Sequence, residues 1–515
     1  MRYGFVIDHR LCIGCHACTV ACKEENRVPL GAFRTWVKYV ERGAFPHTRR
    51  YFSVLRCNHC DAAPCVTICP TVALYRRADG IVDFDGDRCI GCKSCMQACP
   101  YDALYIDPET NTAAKCNYCA HRIEVGLEPA CVIVCPVQAI VAGDLDDPGS
   151  RIARLVAREP VEVRKAEQGT RPKVFYVGAD TAALTPALQT SGATYLWGER
   201  PPAEADLVAM VARARASEAA VDPAQARTVY DAPHEPWPWG WKVAAYLWTK
   251  SVAAGALLVA AAGVLVGAAE GKTLSGIQAP LVALVFLALT TALLVLDLKR
   301  PERFLWILTR GNRSSWLVRG AWILLGFGGI AAVWLVAGLT ANVGMLRILA
   351  LPAIVLAAAA AGYSALLFGQ CEGRNFWQSP LHLPHLLAGA VVAGAASLTI
   401  LHVLTGHDNW GPELTGVEPL RLAMLAGLTV HGALLACDYF APHTNVDVAR
   451  AARLVTHGPW RHRFWGGVVL AGVLAPFAVA WQGPGWATLA SALALAGLWV
   501  YEDLWIRAGQ SVPLS

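Results

Sequence analysis

Cys89-Ile-Gly-Cys-Lys-Ser-Cys-Met-Gln-Ala-Cys-Pro100 decides the fold of the first part of the chain. Its cysteines Cys89, Cys92, Cys95 and Cys99 follow the spacing C-x2-C-x2-C-x3-C-P. Three thiolates on so tight a loop hold three corners of an iron–sulfur cube, while the fourth, followed by proline, reaches across to a neighbouring cube. The pattern recurs on both sides. Cys12, Cys15, Cys18 and Cys22 keep the same spacing without the proline. Cys57, Cys60, Cys65 and Cys69 read C-x2-C-x4-C-x3-C-P, and Cys116, Cys119, Cys131 and Cys135 stretch it to C-x2-C-x11-C-x3-C-P. Four complete motifs predict four 4Fe–4S clusters. Zinc sites use C-x-x-C pairs set further apart, and a disulfide framework belongs to a short secreted chain. Cys371 and Cys437 lie in or beside apolar segments and read as small buried residues.

A repeat accompanies the motifs. Cys69-Pro-Thr-Val-Ala-Leu74, Cys99-Pro-Tyr-Asp-Ala-Leu104 and Cys135-Pro-Val-Gln-Ala-Ile140 share C-P-x-x-A-[LI]. Strand-like runs stand at Met1–Asp8, at 80–84 behind the Asp79-Gly80 turn signal, and at 172–178. The expected fold class is an α+β double ferredoxin-like four-cluster domain at 1–145. An extension and Pro/Trp-rich linker at 146–240 follows, with an Ala-rich helix expected at 203–220. No export signal is read at the start, and the pairs Arg49-Arg50 and Arg76-Arg77 have no apolar run behind them.

With 55% hydrophobic and 16% charged residues, the 515-residue chain is too apolar to be wholly soluble. Trp237, Trp239 and Trp241 suit a membrane–water interface. Beyond them, 241–515 is expected to form an all-α eight-span transmembrane helical bundle. Its apolar runs lie at 243–267, 277–297, 317–340, 346–370, 382–405, 419–440, 464–482 and 486–506. Each is near the ~20 residues a crossing needs. An even number returns the carboxyl terminus to the cluster side. Loops on that side hold Lys299, Arg300, Arg303, Arg310, Arg313, Arg374, Arg450, Arg453, Arg461, Arg463 and Arg507, whereas the opposite ends hold Lys272, Arg347 and Arg421. The positive-inside rule then places the clusters in the cytoplasm, on a multi-pass protein of the cytoplasmic membrane. The net charge of +5 is modest, and no nucleic-acid partner is expected.

The cluster region resembles the iron–sulfur subunits of dimethyl-sulfoxide-reductase-type molybdenum enzymes. The membrane half looks like the eight-span polysulfide-reductase-type anchor family, through Asp297-Leu-Lys-Arg-Pro-Glu-Arg-Phe304, Ser314-Ser-Trp-Leu317, Ala361-Gly-Tyr-Ser364 and Trp377-Gln-Ser-Pro380. The resemblance implies a molybdenum or tungsten pterin catalytic subunit as partner, and quinone (menaquinone or ubiquinone) as the membrane-side redox partner. It also implies crossed ligation. Cys12, Cys15 and Cys18 would share a cluster with Cys135, and Cys116, Cys119 and Cys131 with Cys22. Likewise Cys57, Cys60 and Cys65 would pair with Cys99, and Cys89, Cys92 and Cys95 with Cys69. The expected role is an electron-transfer and quinone-reactive subunit that reduces quinone with electrons from a donor such as formate or sulfite. The alternatives are quinol oxidation in a reductase complex and a ferredoxin:quinone oxidoreductase without a molybdenum partner. Of the two clusters built on the end motifs, the one with Cys135 would face the catalytic partner and the one with Cys22 the membrane.

Within the membrane half, Lys250 lies 11 residues past Trp239, hence ~16 Å along a helix, and an ionisable group at that depth marks a site. Tyr246 stands one turn earlier on the same face, and Tyr363 falls in a family-like stretch. These three are the expected catalytic residues, with Lys250, Tyr363, His382 and His385 as quinone contacts; the bland reading of the two histidines is interfacial polarity. Asp297, Asp438, Glu502 and Asp503 fall at cluster-side span ends, as proton carriers or as solvated partners of arginines. His402 and His431 stand at different depths by residue count, so no bis-His haem is expected.

Overall fold

Gly4, Phe5, Val6 and Ile7 are all buried, so the strand Tyr3–Asp8 must be covered on both faces. Alternate side chains serve the two sides. Phe5 and Ile7 join a core with Cys18, Cys131 and Tyr118, while Val6 packs with Ile152 and Val177. The strand pairs antiparallel with Ile140–Asp144 and parallel with Val174–Val177, which pairs in turn with Val161–Glu162. A second four-stranded sheet runs Gln189–Ser191, Ala226–Tyr230, Thr35–Arg42, Arg49–Arg56. The structure, a computed structural model, describes residues 1–43, 47–191, 225–232, 237–267, 273–405, 417–443 and 445–515. The helix expected at 203–220 lies outside them.

The expected strands appear, trimmed at their ends: Tyr3–Asp8, Val82–Phe84 and Val174–Val177. The repeat reads as short helix then strand. Pro64–Ile68 precedes Leu74–Arg76, Ser94–Ala98 precedes Leu104–Ile106, and Ala130–Ile133 precedes Ile140–Asp144. This is a ferredoxin-type iron–sulfur domain.

The chain divides into two compact units, Met1–Val66 with Val72–Glu235 and Pro513–Ser515, and Thr67–Thr71 with Pro236–Val512. In the first, Lys38 and Arg164 donate to the carbonyls of Ser515 and Leu514 at 2.8 and 3.0 Å. In the second, the Ser315 hydroxyl donates to Ile68 O at 2.7 Å and the Asn312 amide to Cys69 O at 3.1 Å.

Among the described residues, eight helices of the second unit are long and apolar enough to cross a membrane, and they match the eight expected runs. The first, Trp241–Leu265, is the most enclosed: 72% of its apolar window is buried within the protein, against 22% for the second, Leu274–Asp297. Small residues permit this. A Cβ on Gly255 would lie 1.8 Å from the Ala390 carbonyl oxygen, and one on Gly394 would lie 2.0 Å from the Gly255 carbonyl carbon. The first and fifth spans therefore touch backbone to backbone, as small-residue contacts allow in membranes.

Trp239, just ahead of the first span, is buried: it stacks on Trp377 at 5.6 Å and meets Phe368 edge-on. One expectation needs correction. Cys437 is exposed, on the outward face of the sixth span; Cys371 is buried.

Candidate functional site

The cysteine loops are shaped by residues in the left-handed region. Gly14 and His16 of the first motif have φ of 70° and 60°, and Gly91 and Lys93 of the third have 67° and 63°. Equal spacing thus gives equal backbone. The C-P repeat carries its own turn: Val72, Asp102 and Gln138, each three residues after its cysteine, have φ of 54°, 56° and 51°. After Cys135 this turn aims the Ala139 N–H back at the thiol sulfur, at 3.2 Å. Gly91 and Ala113 direct their N–H groups to the Cys89 sulfur at 3.4 and 3.3 Å. N–H donors to sulfur stabilise thiolate ligands and tune the cluster they hold.

Cys22, Cys116, Cys119 and Cys131 line one pocket together with Phe5, Asn26, Thr35 and Arg56. Burial, and then the Cys116, Cys131 and Cys119 thiols, push the Cys22 thiol well up. Burial, with Cys99 and Cys57 beside it, does the same to Cys65. Cys12 is raised by burial and by Cys135 and Cys15. Among the described residues, no three His, Cys, Asp or Glu side chains converge on a single metal ion. Thiols set around a cavity, with cation and N–H donors facing them, fit a polynuclear iron–sulfur group that binds them as thiolates.

In the second unit the buried polar groups form a seam between spans. Lys250 Nζ donates to Ala361 O at 2.8 Å and to Ser364 Oγ at 2.6 Å, and lies 4.7 Å from the Tyr363 ring centroid. The Tyr363 ring lies against Gly320, where a Cβ would stand 2.2 Å from it. Tyr246 also approaches Ser364, and Glu502 is the carboxylate within electrostatic range of Lys250. His382 feels both Lys250 and His385 and stacks on Trp505 at 3.8 Å. His385 Nε2 lies 3.0 Å from Asp438, and its Nδ1 lies 3.4 Å from His431 Nδ1. Tyr501 stacks on His385. Both ring nitrogens of His382, the Tyr501 hydroxyl and Glu502 Oε2 find no hydrogen-bond partner among the described residues. Unsatisfied buried polar atoms in such a cluster call for a polar ligand or ordered water.

Lys250, Tyr363 and Tyr246 are thus brought together, with His382 next to them. His382 and His385, at the start of the fifth span, are buried, each 2% exposed, and both face rings of the last span. The acidic span ends divide. Asp503 pairs with Arg463 and Arg507, Asp438 meets His385 and Ser379, and Glu502 turns into the bundle. Sequence reasoning missed His431, Tyr501, Trp505 and Ser364 as members of the seam. Polar and aromatic residues one turn apart in Tyr501-Glu-Asp-Leu-Trp505 were the available signal. A separate apolar cavity, lined by Leu258, Ala262, Leu398 and Leu420, lies towards the Leu265 end of the first span, away from these groups.

Residues 48–145 match the 4Fe-4S dicluster domain family, and residues 231–513, over half the chain, match the family described as polysulphide reductase, NrfD. The chain is 49% identical over 202 residues to the B subunit of tetrathionate reductase from Salmonella typhimurium, covering 38% of this chain and 80% of that protein. It is 44% identical over 181 residues to the B chain of polysulfide reductase from Wolinella succinogenes, covering 34% and 94%. A third relative, at 38% over 215 residues, is the iron-sulfur B component of a dimethyl sulfoxide reductase, so named provisionally, from Halobacterium salinarum, covering 36% and 82%.

Proposed function

We propose that this chain, which belongs to the polysulphide reductase NrfD family and carries in the same polypeptide a 4Fe–4S electron-transfer domain, is the quinone-reactive subunit of a membrane-bound molybdenum or tungsten oxidoreductase. Four clusters would be held with the crossed ligation described above, and each would carry one electron at a time. The mutual influence of Cys22 with Cys116, Cys119 and Cys131, of Cys12 with Cys135, and of Cys65 with Cys99 supports that pairing. The observation that carries the quinone reading is the buried seam around Lys250. A quinone carbonyl gaining electrons needs a hydrogen-bond donor and then protons. Lys250 and Tyr363 supply donors, and Glu502, His385 and Asp438 stand where protons would be passed. The arginine-rich loops support a cytoplasmic cluster domain. A catalytic pterin subunit on that side would feed electrons to quinone.

The opposite direction, quinol oxidation, is the second reading. It is favoured by the relatives' names, which are those of reductases of tetrathionate, polysulfide and dimethyl sulfoxide. Isolation of the chain from membranes tests both. A co-purifying molybdenum or tungsten pterin subunit, with quinone-linked turnover of its substrate, is the expected result. Quinone activity in the chain alone would replace this reading with a ferredoxin:quinone oxidoreductase. A reporter fused after Ser515 should be active on the cytoplasmic side, where Pro513–Ser515 would lie with the first unit; activity on the outer face would reverse the orientation.

A further inference from the structure

Arg56 closes the strand Arg49–Arg56, whose exposure falls steadily towards this end. Its side chain is 1% exposed. Nη1 donates to the Cys131 sulfur at 3.1 Å, and the guanidinium lies 4.5 Å from the Phe5 ring centroid. Nε and Nη2 are buried without a hydrogen-bond partner among the described residues. The charged neighbours that act on it are cysteines, namely Cys131, Cys116 and Cys18, and no carboxylate pairs with it among the described residues. Lys115, equally buried, is different: its ammonium is satisfied by the carbonyls of Val82 and Cys116. A cation stripped of water and left with unused donors is strongly unfavourable unless an anion faces it. Arg56 lines the cavity shared by Cys22, Cys116, Cys119 and Cys131.

We propose that Arg56 is the fixed counter-cation of the iron–sulfur group held by Cys22, Cys116, Cys119 and Cys131, and that it raises the reduction potential of that group above the value its thiolates alone would set. The proposal rests on reading these four cysteines as ligands of one cluster. A cluster with four thiolate ligands is an anion, and one added electron makes it more negative by one unit with no bond made or broken. A cation in contact with a ligand sulfur favours the reduced form, most strongly where water is excluded. The idle Nε and Nη2 donors are positioned for that anion. The cluster of Cys12, Cys15, Cys18 and Cys135 would feel the same charge through Cys18, whereas the hydrogen bond goes to Cys131.

The test is a redox titration of the intact, cluster-loaded protein followed by electron paramagnetic resonance, with Cys22→Ser used to assign the signal. Arg56→Met should move the midpoint of the assigned cluster downward and leave the clusters built on Cys57 and Cys89 unmoved. Arg56→Lys should hold it near the native value. An unmoved midpoint in a fully loaded Arg56→Met protein overturns the proposal, as does an equal shift in Arg56→Lys. Should Arg56→Met lose the cluster, Arg56→Lys decides: a loaded cluster at the native midpoint supports a role of charge, and an empty site shows that shape alone was needed. A Cys22→Ser protein with every cluster signal intact would instead overturn the ligand assignment beneath the proposal.

Discussion

In the first unit, three of the four cysteines of each proposed site come from one stretch of at most sixteen residues, and backbone N–H groups of such stretches face the sulfurs. In the second, the groups around Lys250 come from separate helices, with Ala361 and Ser364 more than a hundred residues away in sequence. On the proposed function, the difference follows from what each unit would hold. A metal cluster demands ligands at set distances, which short loops with fixed left-handed turns provide. A diffusible substrate in a membrane demands a polar niche between helices, and helix packing provides that.

The sharpest way to break this contrast is Cys22→Ser. The loop carrying Cys22 should keep its own cluster while the one built on Cys116, Cys119 and Cys131 is lost, as iron content and electron paramagnetic resonance would report. Loss confined to the cluster of Cys12, Cys15 and Cys18 would make each loop self-contained and the crossed arrangement wrong.

Next in size, Lys250→Met and Tyr363→Phe should each slow quinone turnover on the order of a hundredfold, the usual cost of losing a donor to developing negative charge. Reduction of a soluble dye at the clusters should continue at the native rate. Full quinone activity in both variants would move the site to His382 and His385.

A stability measurement sharpens the comparison from the packing side. Gly394→Leu forces a side chain into the backbone of the first span and should cost about 1–3 kcal/mol or more, as overpacking does. Thermal unfolding in detergent would show it, and an unchanged midpoint would mean that the two spans are free to part. Smallest of all, Thr290→Val removes the 2.9 Å hydrogen bond to Thr249 and should cost only about 0.6 kcal/mol, the average for such bonds in membranes.

What was legible in the sequence follows the same division. The cysteine spacings, the C-P repeat and the eight apolar runs are local patterns, and the structure returns all three as turns, short helices and spans. That Lys250 is buried among polar groups was legible, because a lone lysine far from a span end needs partners there. Glu502 was not, since Glu502 and Asp503 are adjacent and only helix rotation decides that one turns inward while the other meets Arg463 and Arg507. His385 and His431 lie 46 residues apart on different spans, and their contact depends on how those spans pack. Arg56 was illegible for another reason: it ends a strand that begins with exposed Arg49 and Arg50, and nothing local separates an inward arginine from those two.

The contact between Gly255 and Gly394 has a mechanical consequence. Backbone contact leaves no room for a side chain between the two helices here, so the point acts as a rivet in their packing. Lys250 stands five residues from one side of it, and His385 nine residues from the other. The ammonium and the imidazole are thus carried by the two helices that this contact joins, each within three turns of the point where their backbones meet.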